Sequence, residues 1–352
     1  MKKLAVLGLG KVGGLSAELL HEGGFELICV DRSAPADPAP GAFRSLDVTD
    51  AAALGALFGE VDAVLSCLPY ALNIGVATAA HRAGVGYFDL TEDVETTKAI
   101  RALAETGSAA MAPQCGLAPG FIGIAGAALI ERFDRCRSLR LRVGALPQNP
   151  TGLMGYAFNW SPEGVVNEYL NDCEVIEEGV RKLVSPMEWR ETLYIGGVKL
   201  EAFTTSGGLG TMCETYLGRV ENIDYKSIRY PGHMDLMNFF FHELLMRERR
   251  AEAGEILTHA KPPVDDDVVY VHASAEGWEG GRLLRHEFVR AFRPKIAAGR
   301  LRTAIAWTTA ASAVAVIEMV RDGALPNAGF LRQEDVPLER FLQTRTGALY
   351  AD

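Results

Sequence analysis

The stretch KLAVLGLGKVGGLSAELLHEGGFELICVD, residues 3–31, decides the fold. Lys3–Leu7 is a short apolar run and Glu26–Val30 is another, each the length of a strand. Between them lie GLGKVGG and an amphipathic SAELLHEG. Gly8, Gly10 and Gly13 match the pattern G-x-G-x-x-G, with Lys11 and Val12 inside it. The first glycine allows a tight turn, the second lets backbone approach a pyrophosphate, and the third lets helix and strand pack closely. The helix start then offers unpaired N–H groups to phosphate. Asp31 stands 18 residues past Gly13, at the end of the second strand. An acid there accepts ribose hydroxyls and repels a 2′-phosphate, which points to NAD. Arg32 follows directly and keeps NADP open, since a guanidinium pairs with phosphate. It could equally stack on adenine or be solvated.

The same rhythm continues. Asp47-Val48-Thr49-Asp50 opens a helix rich in Ala and Leu, and Asp47 with Val48 either meets the adenine or caps that helix. Val61–Ser66 reads as a strand leading to Cys67, Leu68 and Pro69, which border the cofactor cleft. Helices follow at Ile74–Ala83 and Val94–Thr106, and strands at Tyr87–Leu90 and Ala109–Ala112. Alternation of this kind implies a parallel sheet covered on both faces. After Gly120 the pattern changes. Ser138–Gly144 alternates like a half-buried antiparallel strand. Met187–Phe203 holds two strands around Gly196-Gly197, and Asp267–Ala275 with Arg282–Phe292 forms a further pair. The expected class is α/β: a Rossmann doubly wound parallel sheet over residues 1–120, and an inserted α+β, largely antiparallel substrate and dimerisation domain over 121–300. C-terminal helices over 301–352 return to the first domain.

The chain has 352 residues and a formal net charge of −10. An acidic surface without a basic stripe disfavours nucleic acid. Six cysteines at gaps of 21 residues or more form neither a disulfide framework nor a zinc site. They imply reduced thiols, a cytoplasmic setting and no bound metal. The N-terminal apolar run is broken by Gly8, Gly10, Gly13 and Gly14, unlike a secretory segment. Residues 304–320 are too short and polar for a membrane span and read as a buried helix. FFFHELLM, residues 239–246, suggests a homodimer or higher homo-oligomer.

Several segments together resemble the saccharopine dehydrogenase-like family. They are GLGKVG, SCLPY, YFDLTEDVETTKAIRALAE, PQCGLAPGF, VGALPQNP, NWSPEGVVNEY, EAFTTSGGLGT, IRYPGH and the tail GALPNAGFLRQEDVPLERFL. Within the family the set is most similar to the bacterial lysine 6-dehydrogenase branch. The resemblance implies NAD-dependent oxidation of L-lysine at the ε-carbon, giving 2-aminoadipate 6-semialdehyde and ammonia; the semialdehyde closes to a cyclic imine. Saccharopine reductases read GLDPG where this chain has Gly116-Leu117-Ala118-Pro119-Gly120, and carry a cysteine near Val143. Those polar positions are apolar here, which favours a smaller amine than saccharopine.

Hydride leaves the ε-carbon only when the amine is neutral. With a pKa near ~10.4, deprotonation at pH 7 costs about 4.6 kcal/mol. A base or a desolvating site must lower that cost, and an α-carboxylate needs a cationic anchor. Glu92 and Asp93 lie past a Rossmann strand end, where ligands bind; either is a base or ammonium acceptor, or the pair caps the next helix. His233 is a second base candidate, or a structural histidine after a proline turn. Arg229 is the carboxylate anchor, or an ion-paired arginine. Thr205 and Ser206 bond substrate or make a polar turn. Trp160 walls the aliphatic stem or packs in the core, and Tyr70 sits where Pro69 turns the chain toward the nicotinamide. Cys115, in QCGLAPGF, lines the pocket, acts as a covalent nucleophile or only packs; amine chemistry needs no thioester. Two other readings stand beside amine oxidation. One is reductive condensation of an aldehyde with an amine, as in saccharopine or carboxynorspermidine formation. The other is a non-catalytic NAD-binding module.

Overall fold

The computed structural model describes residues 1–351. The chain divides into two compact units. The first comprises Met1–Ile124, Ile296–Leu301 and Ala306–Asp352; the second comprises Ala125–Lys295 and Arg302–Ile305.

The first unit opens with β1 (Lys3–Leu7), α1 (Lys11–Glu22), β2 (Glu26–Asp31) and β3 (Ala42–Ser45). It continues through α2 (Ala51–Phe58), β4 (Ala63–Ser66), α3 (Tyr70–Ala83), β5 (Gly86–Asp89), α4 (Val94–Ala104) and β6 (Ala110–Ala112). The strands pair in parallel, in the order β6-β5-β4-β1-β2-β3, with the two-residue strand Gly329–Phe330 added beside β6. Leu4–Leu7 and the whole of β4 are buried. Strands covered on both faces read as unbroken apolar runs, which is why these segments carry no alternation. Leu54, Leu57 and Phe58 of α2 join Val76, Ala77 and Ala80 of α3 and Ile100 of α4 in one core over the sheet. Leu57 and Ile100 are fully buried, and each such side chain stabilises by about 1.5–3 kcal/mol.

After α5 (Phe121–Ile130), the second unit is built on a mixed sheet. Its elements are β7 (Arg135–Pro147), α6 (Pro162–Leu170), β8 (Cys173–Glu177), β9 (Val180–Val184), β10 (Glu191–Ile195) and β11 (Val198–Thr204). Then come α7 (Met212–Tyr216), β12 (Asn222–Arg229), α8 (His233–Asn238), α9 (Arg250–Ala260), β13 (Asp267–Glu279) and β14 (Arg282–Phe292). The main order is β10-β11-β12-β7-β13-β14. The reading of residues 138–144 as a half-buried antiparallel strand needs correction. β7 is a central strand, antiparallel to β13 but parallel to β12, and everything from Leu141 to Pro147 is buried. Arg140 and Arg142 made it look half-exposed, but Arg142 is buried in ion pairs with Glu191 and Asp224. One face of this sheet carries the core: Val165, Val166 and Tyr169 of α6 pack with Phe203, Ile228 and Phe241. The segment 239–246 is divided: Phe241 and Met246 are core, while Phe239, Leu244 and Leu245 are exposed.

The chain returns through α10 (Ala304–Arg321). It is long and apolar enough to cross a membrane, but 83% of it is buried inside the protein, the expected state of a helix apolar all round. Its Glu318 accepts from the Thr346 N–H (3.0 Å) and hydroxyl (2.8 Å). Tyr350 stacks on Phe121 at 3.9 Å and donates to the Thr308 carbonyl, so the tail is packed into the first unit.

Candidate active site

The dinucleotide loop forms at the C-terminal ends of β1 and β2. Gly8 lies at φ +85°, the left-handed region that glycine adopts freely. A Cβ on Gly13 would stand 1.8 Å from the Gly8 carbonyl oxygen, so helix and loop touch only because that side chain is absent. A Cβ on Gly10, at the N-cap of α1, would meet nothing within 4 Å. The loop therefore closes on itself at Gly13 and stays open at Gly10, the arrangement a pyrophosphate requires. Cys67 and Leu68 pack beneath Gly8, and Cys67 also meets Gly13. Burial pushes the Cys67 thiol up to about 12. Asp31 accepts from the Leu9 N–H at 2.8 Å and the Arg32 N–H at 2.7 Å, so its carboxylate is fixed beside the loop. Asp47 accepts from the Thr49 N–H and hydroxyl, and Asp50 caps α2. The helix-cap reading of Asp47 is thereby corrected by three residues. Val48 packs on the sheet core. Pro69 is the N-cap of α3 and Tyr70 its first residue.

At the ends of β5 and β6 the polar groups converge on Asp89, which is fully buried. Its carboxylate accepts from the Tyr87 hydroxyl (2.7 Å), the Thr91 N–H (3.0 Å) and the Gln114 N–H (3.0 Å). Its own carbonyl accepts from the Cys115 N–H at 2.8 Å. One residue thus ties the loop after β5 to the loop after β6. Burial raises its pKa to about 6 against these three hydrogen bonds. Cys115 is also fully buried. Its thiol donates to the Ala112 carbonyl at 3.1 Å, and Gln333 approaches it at 3.3 Å. Burial, then the charge of Asp89, drives its pKa far up. A thiol so placed is neither nucleophile nor pocket wall; Cys115 packs. Asp93 is the N-cap of α4, accepting from the Thr96 N–H at 2.7 Å and its hydroxyl at 2.6 Å. That commitment corrects its reading as a base. Glu92 stands half-buried in the same loop.

The second unit holds a buried polar chain whose direction is fixed by its end. The Met154 carbonyl can only accept, so His233 Nδ1 carries the proton that bonds it at 3.1 Å. His233 Nε2 then accepts from the Tyr169 hydroxyl at 3.0 Å, and that hydroxyl accepts from Arg229 Nε at 2.6 Å. Burial, then Arg229, pushes the His233 pKa down to about 3. The ring is fully buried and neutral at pH 7, with both nitrogens used. His233 is therefore no general base; it is the acceptor that orients Tyr169. Arg229 lies 4.8 Å over the Tyr156 ring and 5.5 Å from the Tyr169 ring. Its Nη1 donates to the Ile228 carbonyl at 2.8 Å, and its Nη2 stands 3.8 Å from Glu168 Oε2. Burial opposes its charge, but the surrounding groups, Glu168 among them, leave its pKa raised. Thr205 and Ser227 share a hydrogen bond of 2.8 Å. Ser206 bonds α6, its N–H donating to the Glu168 carbonyl and its hydroxyl to that of Asn167. Trp160 is a partly buried wall of the core.

Residues 4–112 match the saccharopine dehydrogenase NADP binding domain, and residues 116–345 match the saccharopine dehydrogenase C-terminal domain. The chain belongs to the saccharopine dehydrogenase family. It is 28% identical over 151 residues to saccharopine dehydrogenase [NADP(+), L-glutamate-forming] of Saccharomyces cerevisiae. That match spans 40% of this chain and 33% of the yeast protein's length. The structure of apo saccharopine dehydrogenase (L-Glu forming) from the same yeast superposes with a TM-score of 0.77 at 16% identity, covering 97% of each chain. An engineered D-amino acid dehydrogenase bound to NADP+ gives 0.51 at 13% identity, covering 99% and 98%. These likenesses show the fold. The match to the NADP binding domain covers the part of the first unit that holds the glycine loop and Asp31.

The structure brings Arg229, His233, Thr205 and Ser206 into one region and adds Glu168, Tyr169, Tyr156 and Ser227, none of which the sequence singles out by role. Glu168 and Tyr169 end the quoted segment NWSPEGVVNEY, but their partners lie about 60 residues away. In the first unit Asp89 was hidden in YFDL as an ordinary strand end.

Proposed function

We propose that this protein oxidises L-lysine at its ε-carbon with NAD as acceptor. The observation that carries the reading is a buried guanidinium in the second unit, Arg229, whose Nε and Nη1 donate to Tyr169 and Ile228 while Nη2 stands 3.8 Å from Glu168; the other buried guanidinium there, Arg142, is paired with Glu191 and Asp224. One such guanidinium suits one α-carboxylate. Arg190 is paired with Asp235, and Arg219 lies over the Tyr216 ring, so neither offers a second buried anchor. Asp31, held beside the open Gly10 end of the loop, supports NAD through its affinity for ribose hydroxyls.

The chemistry needs a neutral amine, at a cost of about 4.6 kcal/mol at pH 7. We assign its proton to Glu92, the half-buried acid next to the α4 cap in the β5 loop. The nicotinamide, when bound, accepts the hydride. The substrate is then an iminium, which water attacks and which collapses to 2-aminoadipate 6-semialdehyde and ammonia. Glu92 first passes the amine's proton to solvent, then takes the proton of that water and returns it to the nitrogen, which leaves as ammonia.

Oxidation of saccharopine is the second reading, favoured by the family and by the yeast relative's activity. Saccharopine carries additional carboxylates, each needing a partner. NADH and NADPH formation should be compared with L-lysine and with saccharopine as substrate. Turnover with L-lysine and NAD alone supports the proposal; turnover with saccharopine alone overturns it.

A further inference from the structure

Three buried polar side chains, Thr91, Thr97 and Gln114, surround the loop after β5 in the first unit. Their hydrogen bonds close a ring. The Thr91 N–H donates to Asp89 Oδ1 at 3.0 Å, and Thr91 Oγ1 accepts from the Asp93 N–H at 3.2 Å. The Asp93 carbonyl accepts from the Thr97 hydroxyl at 3.0 Å, and that hydroxyl oxygen accepts from Gln114 Nε2, also at 3.0 Å. The Gln114 N–H returns to Asp89 Oδ1 at 3.0 Å. The directions are fixed. The Asp93 carbonyl can only accept, so it takes the Thr97 hydroxyl proton, and Gln114 must face that oxygen with its amide N–H.

Gln114 holds φ +65°, a left-handed conformation uncommon outside glycine. In that conformation its backbone N–H and its side chain reach two different members of the ring. Backbone of this kind persists where its surroundings over-determine it, and it clusters at functional sites. Capping of α4 needs only Asp93, which accepts from the Thr96 N–H. Thr91 and Gln114 are additional to the cap.

Glu92 lies between Thr91 and Asp93, so the ring ties both the residue before it and the residue after it. The loop stands at the C-terminal end of β5, where ligands bind in such sheets. A reacting group keeps its geometry only when the groups around it are themselves locked. Displacement by about 1 Å can lower a rate by about 10²-fold.

We propose that Thr91, Thr97 and Gln114 are positioning residues that hold Glu92 at the reacting amine through this ring. The inference rests on the assignment of the amine proton to Glu92, and not on which amine is the substrate.

The test is a double-mutant cycle on steady-state turnover. L-Lysine and saccharopine are offered in parallel with NAD and NADP, and the variants are read on the pair that turns over. Thr91→Val keeps the side-chain shape and removes the acceptor. It should lower kcat by about 10- to 100-fold with KM little changed, and Thr91→Ser should restore most of the loss. In the Glu92→Gln background, Thr91→Val should cause no further fall, because it acts through the group already removed. An equal fold-loss in both backgrounds overturns the proposal, since the ring then serves stability alone. Unchanged turnover in Thr91→Val beside slow turnover in Glu92→Gln also overturns it, and keeps Glu92 as the base. Unchanged turnover in Glu92→Gln removes the base, and the positioning role with it. Gln114→Met removes the side-chain bond to Thr97 and leaves the backbone N–H in place. It carries the same cycle if Thr91→Val fails to fold, with the same outcomes deciding.

Discussion

Desolvation, and then the charge of Arg229, holds the His233 imidazole neutral with a pKa pushed down to about 3. The ordinary histidine value is near ~6.5. The unfolded chain therefore binds more protons at this residue than the folded one between about pH 3 and pH 6.5. Its contribution to stability is complete above that window and is lost as pH falls through it. We expect His233→Leu to flatten this part of the pH–stability curve, measured by denaturant unfolding. The variant also costs about 1–3 kcal/mol, because the Tyr169 hydroxyl loses its acceptor. No inflection of kcat/KM between pH 6 and 8 should trace to His233. The two acids of TEDVE divide similarly. Asp93→Ala should cost about 0.5–2 kcal/mol in stability, with Asp93→Ser restoring most of it, as expected of an N-cap. Glu92→Gln should lower turnover by about 10²–10⁴, the range for a lost general base. A result in which Asp93→Ser, and not Glu92→Gln, abolishes turnover would reverse the assignment. Residue types in the sequence suggested bases at three positions. Asp93 is committed to a helix end and His233 to a tyrosine 64 residues away. Hydrogen bonds of that second kind leave no local pattern to read.

The loops after β5 and β6 behave as one element because Asp89 accepts a backbone N–H from each. Burial raises its pKa to about 6, above the ordinary aspartate value. The sign is thus opposite to that of His233. Between about pH 4 and pH 6 the folded chain binds more protons at Asp89 than the unfolded one, so this group's contribution declines as pH rises. Tyr87, Cys67 and Cys115 are the titratable groups coupled to it, and burial keeps all three neutral across that window. Asp89→Asn should make stability rise more steeply from pH 4 to 6, whereas Asp89→Ala strands two buried N–H groups and costs about 1–3 kcal/mol for each. Amide exchange at Thr91 and Gln114 should accelerate in the alanine variant but not in the asparagine one; unchanged exchange in both would disprove the tie. The elements themselves were legible. Buried parallel strands such as Ala63–Ser66 are apolar throughout, and glycines mark the turn before α1. The hairpin of β8 and β9 carries a weaker signal, Gly179 at its turn between CEVIE and VRKLV.

On the scale of the whole molecule, the first unit is completed by the returning chain. Tyr350 stacks on Phe121, lies against Trp307 and Phe341, and bonds the Thr308 carbonyl. Tyr350→Ala should destabilise by about 3–5 kcal/mol, the usual cost of deleting a buried aromatic ring. A change under about 1 kcal/mol in denaturant unfolding would contradict that packing. The sequence allowed the overall α/β plan to be read because periodicity and glycine spacing are local properties. The buried polar cluster of the second unit was only partly readable: Arg229 is a conspicuous cation at the end of a strand, but its ion pair with Glu168 exists only because the fold brings β12 beside α6. The central claim is that hydride leaves the ε-carbon of lysine. The most direct measurement is mass analysis of the reduced cofactor after turnover of L-lysine carrying two deuterons on its ε-carbon. One deuteron transferred to NAD for each ammonia released is the predicted result. Unlabelled reduced cofactor, or none, would contradict the account.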